Sequence, residues 1–180
     1  MFVSLLPHPD FPAPAMTGVE VALDWQNTEL RLDYRLTGDL STLILPTPQT
    51  PLDPQRLWAH TCCEIFLAQP ASPAYREYNF SPSGQWAAYG FSAYRQKSAW
   101  ENPPAPRMEW RRENDELLLQ VTLPVAAFLS TASPQLALSV VLEFTDGRLA
   151  YYALQHPAGA PDFHHRSSFT LNLTPTHAPT

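Results

Sequence analysis

Twenty prolines in a chain of 180 residues restrict the secondary structure that this protein can form. Proline has no backbone N–H and disrupts the interior of a helix. A chain with this many prolines can therefore form few long helices. Only six glycines accompany them. The sequence therefore favours an all-β fold in which proline marks the loops.

Alternating apolar and polar residues predict the strands. The clearest runs begin at Val19, Leu30 and Leu117, and their period of 2 is typical of half-buried strands. The predicted strands cover residues 19–25, 30–36, 61–67, 75–80, 86–91, 108–112, 117–123, 136–144, 148–154 and 169–173. One helical turn is predicted over 125–129. About ten or eleven strands with at most short helical turns indicate an antiparallel, jelly-roll-like β-sandwich.

The length fits a single domain with a substantial core. We expect that domain over residues 16–174. The proline-rich residues 1–15 are predicted to be a loosely held arm, and residues 175–180 a flexible tail.

Charge and cysteine content exclude several classes of protein. The net charge of −6 and the lack of any basic cluster beyond Arg111-Arg112 argue against nucleic-acid binding. No apolar run is long enough to span a membrane, and the first fifteen residues lack the pattern of a secretory signal. Cys62 and Cys63 are adjacent, so on a strand they point to opposite faces and a disulfide between them is not expected. These features predict a cytoplasmic protein.

Residues 57–95 hold two of the five Trp, four of the seven Tyr and both Cys. Aromatic and charged residues are interleaved here more densely than a plain hairpin needs, which predicts a ligand surface. Trp58, at a strand entry, suits stacking on a sugar ring, and the Glu64 carboxylate suits hydrogen bonds from sugar hydroxyls. The alternative is that Trp58 caps the core and Glu64 pairs with Arg76 or Arg95.

The following strand alternates Arg76 and Tyr78 with Glu77 and Asn79. If the face that carries Tyr78 forms a cleft, Arg76 and Tyr78 reach a ligand while Glu77 and Asn79 stay on the outer face. The alternative is a solvated outer face with one structural ion pair.

The loop near the end of the chain contains the side-chain types that bind divalent metals. A weaker hypothesis is therefore a metal site formed by His156, Asp162, His164 and His165. His60 could be a further ligand. Their spacing matches no compact metal motif. No nucleophile elbow, no second carboxylate to accompany Glu64 and no phosphate-binding glycine loop is recognisable, so the sequence offers no support for an enzyme.

The run LWAHTCCEIFLAQPASPAYREYNFSPSGQWAAY, residues 57–89, resembles the central motif of DOMON-like and family 9 carbohydrate-binding-module-like β-sandwiches. In those families an "lW…D..EiFl" strand precedes a "Y.ef..sp.G" strand and a "w.ay" strand. The later segment YYALQHPAGAPDFHHRSSF resembles the closing segment of stand-alone bacterial DOMON-like proteins. The resemblance spans about residues 19–173. It implies an antiparallel sandwich with a ligand cleft that binds sugars in some members and haem in others.

Several residue roles follow from that resemblance. Trp58 and Glu64 match the first stacking Trp of the sugar-binding modules and the acid six positions later. Arg76 or Asn79 matches a polar contact on the next strand. The second Trp of those modules is missing, so Phe163, Tyr151 or a His of the HHR segment would replace it, and His60 stands where many relatives carry an acid. The haem-binding branch uses Met with His or Lys, and Met108 does not align clearly with that ligand.

The sequence thus predicts a non-catalytic protein that binds a carbohydrate or sugar-like molecule near Trp58. The candidate ligand-binding residues are Trp58, His60, Glu64, Arg76, Tyr78, Asn79, Arg95, Phe163, His164 and Arg166. No cofactor is expected. Two alternatives stay open, namely a redox or sensor protein that binds haem b, and a protein-interaction module that presents exposed aromatics such as Trp86 and Trp100.

Overall fold

The computed structural model describes residues 1–125 and 133–174. Its strands form two antiparallel sheets, which confirms the predicted β-sandwich. The five-stranded sheet has the order β1-β3-β4-β10-β9, and these strands are Phe2–Ser4 (β1), Met16–Gln26 (β3), Glu29–Gly38 (β4), Arg107–Glu113 (β9) and Glu116–Pro124 (β10).

The eight-stranded sheet has the order β2-β12-β11-β5-β6-β7-β8, and β13 also pairs with β11. Its strands are Leu6–Pro7 (β2), Cys62–Ala68 (β5), Tyr75–Phe80 (β6), Trp86–Ala93 (β7), Gln96–Ser98 (β8), Gln135–Glu143 (β11), Leu149–Ala153 (β12) and Leu171–Asn172 (β13). The described 3₁₀ helices are Leu40–Thr42, Pro54–Ala59 and Arg166–Ser168. The helical turn predicted over 125–129 lies outside the described residues, apart from Val125.

Residues 1–15 differ from the loosely held arm that the sequence predicts. Strand β1 pairs with β3 of one sheet, and β2 pairs with β12 of the other. Leu5, between the two strands, is buried, and its N–H donates to Val19 O over 2.8 Å. Proline interrupts any alternation here, so the pairing leaves no periodic signal in the sequence.

The main core lies between the two sheets. Alternate residues of β3, β4 and β10 face it, as their period of 2 predicts. From the larger sheet, Cys63, Ile65 and Leu67 of β5 join the same cluster. Within the described ranges, no helix is long and apolar enough to cross a membrane.

A second, smaller apolar cluster lies on the outer face of the eight-stranded sheet. It is built from Phe66, Ala68, Tyr75, Phe91, Ala137 and Phe169, with Tyr89 and Phe163 packed against it. Strand β5 is consequently buried along its whole length. Its odd-numbered residues from Cys63 face the main core, and its even-numbered residues face this outer cluster.

Tyr34 connects the two sheets through the core. This residue of β4 is 1% exposed, and its hydroxyl donates a 2.9 Å hydrogen bond to the backbone carbonyl of Glu64 on β5. Tyr34→Phe removes the donor and leaves a buried carbonyl oxygen with one partner fewer. We expect it to lower the free energy of unfolding by about 1–2 kcal/mol, measured by urea denaturation. Tyr94→Phe, at a hydroxyl that is bonded on the surface, is the control, and an equal loss in both variants would contradict the role of the buried bond.

Candidate functional site

The outer face of the eight-stranded sheet carries a cleft of about 440 Å³. This outer-face cleft lies between the 3₁₀ helix Pro54–Ala59 and the loop that follows β12. Its aromatic lining residues are Trp58, Phe66, Tyr89, Phe91, Tyr151 and Phe163, and its charged or titratable lining residues are Glu64, Glu77, Arg95, Lys97 and His164. The volume is in the range of small-molecule pockets.

Strand register brings two carboxyl groups to this face. Glu64 of β5 is paired with Ser139 of β11 on one side and with Asn79 of β6 on the other. Glu77 is two residues from Asn79 along β6, so its side chain points to the same face as Asn79 and Glu64. Glu64 and Glu77 are therefore diagonal neighbours on adjacent strands, and we call them the carboxyl pair.

Glu64 is 2% exposed, and one of its oxygens is held by the protein. Its Oε2 accepts a 2.7 Å hydrogen bond from the Ser139 hydroxyl. Burial raises the pKa of Glu64 to about 8, and the nearby Glu77 carboxylate adds to the rise. Near neutral pH this group therefore binds a proton far more readily than an exposed glutamate does.

Glu77 is 4% exposed and is held in the same manner. Its Oε1 accepts a 2.6 Å hydrogen bond from Asn79 Nδ2, and Asn79 Oδ1 accepts in turn from the Cys62 thiol over 3.7 Å. Burial raises the pKa of Glu77 to about 7, although the Asn79 bond opposes the rise. Asn79 is itself fully buried and does not line the cleft, so it positions Glu77 from beneath.

His164 lies beside the carboxyl pair as a neutral ring. Its Nε2 is 3.9 Å from Glu77 Oε2, and its Nδ1 is 2.8 Å from the Tyr75 hydroxyl. That hydroxyl also accepts a 3.1 Å hydrogen bond from the Arg95 backbone N–H. Burial, followed by the Arg95 charge, lowers the pKa of His164 to about 4.

The loop that carries His164 is fastened to the end of β7. Asp162 Oδ1 is 2.9 Å from Arg95 Nη2, and Asp162 Oδ2 accepts a 2.6 Å hydrogen bond from the Tyr94 hydroxyl. Asp162 Oδ1 also accepts from the His164 backbone N–H over 3.1 Å. The Arg95 charge is thereby compensated by a carboxylate outside the carboxyl pair.

The aromatic side chains enter the cleft from several elements. Trp58 is 48% exposed, and its indole N–H donates to Gln55 O over 3.1 Å. Phe163 and Tyr151 meet edge to face with ring centroids 6.1 Å apart. Tyr89 is covered by the Lys97 ammonium, 4.6 Å from its ring centroid. The Trp58 ring lies at the rim and is fixed by its N–H, so its apolar face is available to stack on a ligand.

Half of the residues predicted to bind a ligand line the outer-face cleft. They are Trp58, Glu64, Arg95, Phe163 and His164. Two alternatives to a ligand site do not match the structure. Trp58 does not cap the core, since it is half exposed, and the side-chain donor to Glu64 is Ser139 rather than an arginine.

Arg76 and Tyr78 lie on the opposite face of the sheet from the cleft. Tyr78 is fully buried in the main core, where its hydroxyl donates to Pro104 O. Arg76 lies with its guanidinium carbon 5.2 Å from the centre of the Trp100 ring. The expectation that these two residues share a face is correct, but the cleft is on the other side, with Glu77.

His60 and Arg166 also lie away from the lining. His60 Nδ1 is 2.8 Å from Glu143 Oε2, and Arg166 Nη2 donates to Gln69 O and to Gln135 Oε1. Both side chains are engaged with neighbouring strands or loops, so neither reaches the outer-face cleft in this structure.

The sequence interpretation missed Glu77, Tyr89, Phe91 and Lys97 as lining residues. One signal could have found Glu77. Once Glu64 is placed on an outward face, antiparallel pairing of two strands of known length places either Glu77 and Asn79 or Arg76 and Tyr78 beside it. Of these two pairs, Glu77 and Asn79 are the more suited to a polar site beside Glu64.

The residues of the metal hypothesis are not gathered into one site. His156 Nε2 is bonded to Leu6 O, Asp162 holds Tyr94 and Arg95, and His165 Nδ1 bonds the Ser167 hydroxyl. In residues 1–125 and 133–174 there is no group of three or more His, Cys, Asp or Glu side chains that could hold a metal ion.

Trp86 and Trp100 differ from the exposed aromatics expected of an interaction module. Both are partly buried and pack against the main core. The Trp100 ring meets the Tyr78 ring edge to face at 5.3 Å. Their main contacts are therefore inside the protein.

Solved structures share this fold, although no protein-family model and no curated protein sequence matches the chain. A Bacteroides uniformis protein provisionally described as carbohydrate-binding is 16% identical with a TM-score of 0.65, over 94% of this chain and 84% of its own. A family 9 carbohydrate-binding module from Caldicellulosiruptor kristjanssonii, in complex with glucose, is 12% identical with a TM-score of 0.57, over 83% and 72%. Its complex with cellotriose has 12% identity and a TM-score of 0.56, over 86% and 74%. The chain therefore has a β-sandwich fold like that of family 9 modules.

Proposed function

We propose that this protein binds a carbohydrate or sugar-like molecule in the outer-face cleft, without catalysing a reaction on it. One observation carries the proposal: a cleft of about 440 Å³ combines exposed aromatic surface with buried, oriented carboxyl groups. A pyranose ring needs both, since its C–H face packs on an aromatic ring and its hydroxyls need acceptors. The two kinds of neighbour that carry this fold, one crystallised with glucose and with cellotriose, support the same ligand class.

Each side of the cleft has a separate role in this proposal. Trp58 at the rim supplies the stacking face, and Phe163 with Tyr151 supplies apolar surface from the loop and from β12. Glu64 and Glu77 fix the orientation of the sugar by accepting hydrogen bonds from it. Each neutral hydrogen bond adds about 0.5–1.5 kcal/mol, so a single sugar is expected to bind with micromolar or weaker affinity.

Trp58→Ala tests the stacking role. We expect it to weaken sugar binding about tenfold or more, because about 1.4 kcal/mol of lost aromatic contact corresponds to a factor of ten in Kd. The measurement is isothermal titration calorimetry, after a thermal-shift screen of neutral, acidic and amino monosaccharides and their oligomers. A ligand that binds only the folded state must raise the Tm.

Phe2→Ala is the matched control, since Phe2 is 83% exposed and lies in the other sheet. It should leave the affinity unchanged. Undiminished binding by Trp58→Ala would contradict the stacking role. A Soret band on titration with haem, with no response to any sugar, would replace the proposal with the haem alternative.

A further inference from the structure

The carboxyl pair has acceptor atoms that the protein leaves unused. Glu64 Oε2 is bonded to Ser139 and Glu77 Oε1 to Asn79. Among the described residues, no donor comes within hydrogen-bond distance of the other two oxygens, Glu64 Oε1 and Glu77 Oε2. His164 Nε2 is 3.9 Å from Glu77 Oε2, which is too long for a hydrogen bond. Both glutamates are more than nine-tenths buried and line the cleft.

The cations around the cleft offset the charge of this pair only in part, since Lys97 and Arg95 lower the pKa of Glu77 but burial outweighs them. Arg95 is bonded to Asp162, and Lys97 is placed over the Tyr89 ring. Burial keeps His164 neutral near neutral pH, because it lowers the pKa of the ring to about 4. In the part of the chain that the structure describes, no Lys or Arg nitrogen is within 4.0 Å of either carboxyl group.

The carboxyl pair is buried and, in the described parts of the chain, has no cation in direct contact to balance its negative charge when it ionises. Ionising both in a site of low dielectric is costly, because like charges repel and water is excluded. A bound cation removes that cost, and its hydrogen bonds to carboxylates are about twice as strong as bonds between neutral groups. An ammonium also has three N–H donors, enough to reach an oxygen of each glutamate.

The aromatic walls of the cleft also favour a bound cation. Trp58, Tyr89, Phe91, Tyr151 and Phe163 present aromatic surface, and a cation over an aromatic face is attracted by the ring quadrupole. A neutral sugar would use the stacking surface but would leave the carboxyl pair dependent on bound protons. An amino sugar uses both.

We propose that the ligand of the outer-face cleft carries a protonated amine, as an amino sugar does, and that Glu64 and Glu77 bind this ammonium together. The inference rests on the proposed function and names its ligand class. The amine takes the place of the proton that the carboxyl pair otherwise holds. Binding of the cation therefore releases protons from the protein.

The test is a calorimetric comparison of glucosamine, galactosamine and mannosamine with their neutral parents and N-acetyl derivatives, at about pH 6.5 and low salt. We expect at least one amino sugar to bind about 30-fold or more tightly than both uncharged counterparts. Repeating the titration in buffers of different ionisation enthalpy should show proton release for that amino sugar only. This second measurement uses the unaltered protein, so it does not depend on any variant folding.

Glu64→Gln and Glu77→Gln preserve side-chain shape and should each reduce the preference for the amino sugar at least tenfold. Glu143→Gln is the matched control, because Glu143 also contacts a histidine ring but lies outside the cleft, and it should keep the full preference. A neutral parent that binds as tightly as its amine would overturn this inference and leave the proposed function standing. Binding by no sugar would overturn both. A preference that survives both Gln substitutions would overturn the assignment to the carboxyl pair.

Discussion

The free energy of unfolding is expected to fall by several kcal/mol as the pH rises from about 5 to about 9. Burial raises the pKa of Glu64 to about 8 and that of Glu77 to about 7, from a value near 4.5 in the unfolded chain. Between those limits the unfolded chain loses protons that the folded protein retains. Stability from this source is complete below about pH 4.5 and is lost as the pH rises through the folded pKa values.

His164 acts in the opposite direction. Burial lowers its pKa to about 4, while the unfolded value is near 6.5. Between these pH values the unfolded chain binds a proton at His164 that the folded protein does not bind. The free energy of unfolding therefore decreases as the pH falls from about 6.5 towards 4. Above about pH 4.5 the two glutamates outweigh His164, so these three groups together place the maximum of stability at about pH 4–4.5.

Urea denaturation across this pH range measures the effect. Each unit of pKa shift corresponds to about 1.4 kcal/mol, so each glutamate contributes on the order of a few kcal/mol. The double variant Glu64→Gln/Glu77→Gln cannot ionise at these positions, and it should lose much less stability than the unaltered protein between about pH 5 and pH 9. Glu20→Gln, on an exposed side chain of β3, should retain the full slope. An equal slope in all three proteins would contradict the buried carboxyl pair.

The pH profile and the amine preference arise from the same arrangement. The sheet positions Glu64 and Glu77 on adjacent strands, and Ser139 and Asn79 each hold one oxygen. Without a ligand, a proton limits the repulsion within the pair. A bound ammonium would do the same without protonation, so the proposed ligand should stabilise the fold most where the carboxyl pair has lost protons while the amine still carries its own.

The strands that line only one core could be predicted from the sequence. Strands β3, β4 and β10 alternate buried and exposed residues along nearly their full lengths, so their period of 2 is visible. The turns were also recognisable. Asp146-Gly147 connects β11 and β12, and Gly147 has a φ of +85°, which glycine adopts readily.

The face of the site could not be predicted in the same way. Strand β5 is buried on both sides, and most of β6 is too, so hydrophobicity does not distinguish their two faces. Tyr78 and Phe80 belong to the main core, while Phe66 and Tyr75 belong to the outer cluster. Aromatic residues on both faces made the side of Tyr78 look equivalent to the side of Glu77. The short strands β1, β2 and β8 have too few residues to show a period.

Gly38→Ala is expected to lower the free energy of unfolding by about 2–5 kcal/mol and the Tm by roughly 5–15 °C. Gly38 ends β4 with a φ of +148°, a conformation that side chains rarely adopt. An added Cβ would lie 2.5 Å from Ala15 O and 2.6 Å from Met16 Cα. Both are backbone atoms, so no side-chain rotation relieves the overlap. The register of β3 against β4 shifts at this point, between Met16 and Gly18.

Gly18→Ala is the matched control in the same region of the sheet. An added Cβ at Gly18 meets nothing within 4 Å, so this variant should keep its stability, or gain slightly because alanine restricts the unfolded chain more than glycine does. Thermal denaturation of the two variants separates a local overlap from the general effect of removing glycine. Equal losses would attribute the effect to the removal of glycine in general and would contradict the overlap at Gly38. A loss at Gly38 alone would show that this corner is rigid, because Gly38 N–H is bonded to Asp115 O and the next residue, Asp39, is bonded to Ala15 O.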